Sequence, residues 1–118
     1  MNELQRYANV KFGVAVESLA KGNKDIRERI FSAYLSFAPI RPEQYEDAEL
    51  TKMHESLVRD LTKVAAKQDE GTLQATLATL SDDECGELVE RIFAIYELVH
   101  DRKVIDDYEA DRAVELDE

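Results

Sequence analysis

Four residue groups in this chain have the types and spacing to do chemistry, and each can be weighed on the sequence alone. Glu97-Leu98-Val99-His100 is a Glu-x-x-His pair. One helical face would carry both side chains, the arrangement by which helical bundles hold di-metal centres. Such a centre needs a second pair and two further glutamates, whereas His54 follows Leu50, Thr51 and Lys52, where a partner carboxylate should stand. The set is incomplete, and Glu97 with His100 is expected to be a solvated helical pair, with no metal or cofactor bound.

Cys85 falls near the start of a predicted helix, where the dipole would favour a thiolate. Asp82, Asp83, Glu84 and Glu87 surround it and oppose ionisation, so a small buried side chain is the expectation. Neither His54 nor His100 neighbours a nucleophile. No phosphate-binding glycine loop, dinucleotide fingerprint, zinc-protease helix or nucleophile elbow occurs, so no catalytic residue is assigned. Lys21, Lys24, Arg27 and Arg29 cluster about one turn and could hold an anion or open a DNA-reading helix. Ile26, Ile30, Phe31, Tyr34, Leu35 and Phe37 occupy most of that helix, which argues against a recognition helix.

The elements that position these groups are helices. Leu4, Ala8, Phe12, Ala15 and Leu19 recur at steps of 4, 4, 3 and 4 over about Asn2 to Ala20. Tyr7, Val10 and Val14 widen the stripe beyond what an ordinary surface helix shows. Gly13 inside it suggests a close backbone crossing. Asn23 is a plausible cap for a second helix, Lys24 to Ala38, which Pro39 ends. A third is expected from Pro42 to about Lys67 on Leu50, Met53, Leu57, Leu61 and Val64, with Glu43, Glu46 and Asp47 near its positive end. After Asp69-Glu70-Gly71 comes a short helix, Thr72 to Leu80. Ser81-Asp82-Asp83-Glu84 has the form of a capping box and should open the last helix. Arg41 and Arg91 are the charged side chains expected to serve structure.

The prediction is therefore an all-α single domain, an irregular bundle of about five helices over residues 1–110, with an acidic frayed tail at 111–118. At 118 residues it can bury a core without staples. The start lacks the features of a signal peptide, no apolar run is long enough for a membrane span, and one cysteine fits a reducing compartment, so a cytoplasmic location is expected. The formal charge of −11 is uneven: +2 over residues 1–38, −8 over 39–100 and −5 over 101–118. That field disfavours nucleic acid and suits a basic partner.

The strings Val16-Glu17-Ser18-Leu19-Ala20, Asp25-Ile26-Arg27-Glu28-Arg29-Ile30, Ile40-Arg41-Pro42-Glu43, Ala75 to Asp82 and Glu90-Arg91-Ile92 resemble segments of a group of small uncharacterised bacterial helical proteins. The resemblance implies a bacterial cytosolic origin and carries over no functional residue.

The functional expectation is a protein–protein interaction module, an accessory or regulatory protein. It would present an acidic face of Glu43, Glu46, Asp47, Asp82, Asp83 and Glu87 to a basic protein partner. The excess apolar surface of the first two helices points to a homodimer centred on Phe12, Val16, Phe31 and Leu35. The rival readings are a helical enzyme or RNA-processing domain with its site at the dimer interface, and an acidic nucleic-acid mimic or immunity-type inhibitor.

Overall fold

The structure, a computed structural model, describes residues 3–21, 24–66 and 71–117; for 103–107 and 109–117 it describes the backbone alone. Five α-helices follow one another: α1 (Glu3–Lys21), α2 (Ile26–Phe37), α3 (Ala48–Leu61), α4 (Gly71–Ala78) and α5 (Asp82–Asp117). A 3-10 turn, Pro42–Gln44, precedes α3, and no strand occurs among the described residues. The all-α bundle expected from periodicity is the observed fold.

Pairings along the helices fix the topology. Phe12 of α1 stacks on Phe37 of α2, while Arg29 near the start of α2 donates to the Leu19 carbonyl near the end of α1 at 2.9 Å, so α1 and α2 form an antiparallel hairpin. Asn9 meets His100 and Gly13 meets Tyr96, which runs α5 antiparallel along α1. Asp47 pairs with Arg102 and Asp60 with Arg91, so α3 is antiparallel to α5 as well. At 36 residues α5 is about 54 Å long, and α1, α2 and α3 pack along it while α4 packs against α2 and α3.

The apolar stripes do what their spacing requires. Ala8, Phe12, Ala15 and Leu19 are buried, with Ile30, Ala33 and Phe37 across from them; Leu50, Leu57 and Leu61 of α3, Leu73 and Leu77 of α4, and Cys85, Leu88, Ile92, Ile95 and Val99 of α5 belong to the same core. The capping box forms: the Glu84 amide donates to Ser81 Oγ at 3.1 Å, and the Ser81 amide donates to Glu84 Oε1 at 3.0 Å.

Several expectations are corrected. The third helix does not start at Pro42. Tyr45 turns inward against His54, and the Asp47 carboxylate caps α3 by accepting from the amides of Glu49 (3.0 Å) and Leu50 (3.2 Å). It ends at Leu61, so Val64 lies outside it and donates its amide to Thr76 Oγ1 at 3.0 Å; Lys67 lies outside the described residues. The residue before α2 is Asp25, and Asn23 too lies outside the described residues. Gly13 accommodates no backbone crossing: a Cβ there would meet only the Tyr96 ring, at 3.7 Å. The backbone of α5 is helical through Asp117, and the side chains of 111–118, the expected acidic tail, lie outside the described residues.

Candidate functional site

The chemically capable side chains are placed separately. Glu97 and His100 are both exposed on α5; the His100 ring stacks on Tyr96 and its Nδ1 lies 3.4 Å from Asn9 Oδ1. Among the described residues no group of three or more His, Cys, Asp or Glu is placed to hold a metal ion. Cys85 is fully buried, and burial first, then the neighbouring carboxylates, push its thiol up against the pull of Arg27.

His54 is the chemical surprise of the core. It is fully buried, with Nδ1 2.8 Å from the Tyr45 hydroxyl and the rings of Phe12 and Phe37 set nearly perpendicular to it. Its Nε2 has no hydrogen-bond partner. Burial lowers its pKa to about 4 although the Glu43 carboxylate pulls the other way, and burial also pushes the Tyr45 phenol up. The pair is neutral at neutral pH and serves packing.

The basic turn is structural too. Arg27 Nε donates to the Leu77 carbonyl at 3.2 Å, Nη1 to Asp82 at 2.9 Å, and Nη2 to the Leu80 carbonyl. One guanidinium thus ties the last turn of α4 and the turn after it to the start of α5. The sequence led us to expect a structural role of Arg41 and Arg91 rather than of Arg27. Arg91 does bridge α5 to Asp60 (2.8 Å) and Ser56 (3.0 Å) of α3, whereas Arg41 is exposed.

The six acidic residues do not form one face. Asp47 bonds to Arg102 of α5, and Asp82 opens that helix twenty residues earlier, about 30 Å along the axis. Glu43, Glu46 and Asp47 lie in and after the 3-10 turn that precedes α3, whereas Asp82, Asp83 and Glu87 lie in the first two turns of α5. Partial burial pushes the Asp47 carboxyl up, yet Arg102 and the two cap amides together hold it below the usual range. It serves as a cap and an ion-pair partner, so Glu43 and Glu46 are what that end exposes.

The proposed interface residues are also dispersed. Phe12 is wholly inside the subunit, stacked on Phe37 at 4.5 Å, and offers nothing to a second chain. Val16 and Phe31 are half-buried, and Phe31 lines an open groove of about 420 Å³ between α2 and α4, with Lys24, Arg27, Gln74 and Leu77. Leu35 alone of the four is substantially exposed, at 57%. The larger apolar exposure lies on α1: Tyr7 at 44%, Val10 at 59% and Val14 at 44% form a ridge on its outward side. These are the residues that widened the first stripe, and their step of 3 and 4 was the signal that they form a second stripe of their own.

No known protein family, curated protein or solved structure matches this chain. No helix of the described residues is long and apolar enough to cross a membrane.

Proposed function

We propose that the protein is a protein–protein interaction module, an accessory or regulatory protein that self-associates and offers acidic surface to a basic partner. The observation that carries this reading is the outward ridge of Tyr7, Val10 and Val14, apolar surface that the bundle leaves uncovered. The charge of −11, with Glu43, Glu46, Asp83 and Glu87 exposed, supports a basic partner by steering it and by excluding acidic competitors. The test is capture by the tagged full chain from a lysate of its source cells at low and high salt. A basic protein retained at low salt and released at high salt is the expected result. Retention of nothing at low salt, or of a partner indifferent to salt, overturns the acidic-surface reading.

A further inference from the structure

The outward side of α1 carries more than three apolar residues. Glu3, Tyr7, Val10, Val14, Glu17 and Lys21 are all exposed and follow one another at steps of 4, 3, 4, 3 and 4. That is the seam spacing of a two-helix coil, on the side opposite the stripe buried in the bundle.

The geometry points to a second copy of this chain as the occupant of that seam, its α1 lying antiparallel across the first on a two-fold axis at the level of residue 12. The inference deepens the self-association just proposed and rests on it. Its warrant is symmetry in the residues themselves. The six positions pair about that level as 3 with 21, 7 with 17, and 10 with 14, which is the self-complementarity a two-fold contact demands. In this register Glu3 faces Lys21 of the other copy at both ends, and Val10 faces Val14 twice in the middle. Tyr7 can donate its hydroxyl to the opposing Glu17. Lys21, already 2.7 Å from Glu17 of its own helix, is placed between two carboxylates.

Parallel packing would set Glu3, Glu17 and Lys21 each against its own like charge, so the charges select the antiparallel sense. Location also favours this helix. With −11 on each copy, two chains repel everywhere except where the excess is absent, and residues 1–38 carry +2. One face about 27 Å long covers less than the roughly 1,200 Å² of a standard interface, so the dimer is reversible and forms in the micromolar to millimolar range.

Sedimentation equilibrium of the full chain over that concentration range tests the assignment, with far-UV circular dichroism checking that each variant is folded. Val10→Glu should raise the dissociation constant about tenfold or more, since it confronts a buried contact with charge twice per dimer. Glu3→Lys or Lys21→Glu alone should each weaken association about fivefold, and the double variant Glu3→Lys/Lys21→Glu should restore it. If the chain dimerises but these variants leave it unchanged, or if the double swap fails to rescue, the α1 assignment falls while self-association stands. If the wild type stays monomeric throughout, both fall. A monomer whose α1 amides are protected from hydrogen exchange by a captured partner gives the ridge to a different protein and likewise overturns the proposal.

Discussion

Acidification should destabilise this protein through one core side chain before its carboxylates titrate. The folded His54 has its pKa lowered to about 4 from 6.5, so between those values the unfolded chain binds a proton that the folded chain refuses. The sign follows directly. The contribution is fully present above pH 6.5, shrinks as the pH falls through the window, and is spent below about pH 4. A tenfold difference in proton affinity is worth about 1.4 kcal/mol, so the whole effect is about 3 kcal/mol, of which about 2 kcal/mol is lost between pH 7 and pH 5. Because His54 is sealed among Phe12, Phe37 and Tyr45 with Nε2 unpartnered, a protonated ring would hold a second donor with nothing to accept it. Easing of the net negative charge on approach to the isoelectric point near 4.6 acts in the opposite direction, so the raw pH profile mixes two effects. Urea titrations at pH 7, 6 and 5 on the wild type and on His54→Asn separate them. The variant keeps a hydrogen-bonding atom near Nδ1 but cannot titrate. The wild type should lose about 2 kcal/mol more than the variant over that interval. Parallel pH profiles for the two proteins would refute the reasoning.

Three further outcomes are expected. Gly13→Ala should raise stability by about 0.5–1 kcal/mol, because the new methyl meets Tyr96 at an ordinary 3.7 Å and the helix sheds a glycine; thermal melts would show it. Ser81→Ala should cost about 1 kcal/mol in urea titrations, since it removes the side-chain half of the cap on α5 and leaves the Glu84 amide without its acceptor. Cys85 should react with a thiol reagent about a hundredfold more slowly in the folded protein than in urea, as its burial and raised pKa both withhold the thiolate.

Most of the fold was legible because four of the five helices announce themselves by an uninterrupted 3.6-residue period or by a cap. Ser81 to Glu84 is the clearest case, where the pattern of residue types alone set the boundary that the hydrogen bonds then define. The start of α3 was not legible. Pro42 and Glu43 carry the marks of a helix start, and a 3-10 turn is equally content with them, since Pro42 lacks an amide to satisfy. The deciding event is tertiary: Tyr45 swings inward to reach His54, and a ring nine residues away leaves no local trace.

The exposed apolar surface was harder to read for a reason that lies in helix geometry. On α1 apolar residues occupy positions 4, 7, 8, 10, 12, 14, 15, 16, 19 and 20, which wrap nearly the whole circumference, so a single wide stripe and two opposed narrow ones have the same composition. What separates them is which side meets neighbouring helices. Phe12 is the largest side chain on that helix to carry no polar atom, and a core recruits the side chain that removes most apolar surface from water, which is why it went inward. Tyr7 and the two valines were left outside. The acidic residues show the same limit from the other direction. Glu43 to Asp47 and Asp82 to Glu87 look like one population when charge is counted along the chain. They are set apart because a single straight helix spans the distance between Asp82 and the Arg102 that grips Asp47. Charge totals survive folding unchanged, but a partner meets only what one face presents, and that is decided by the length of a rod rather than by the number of carboxylates.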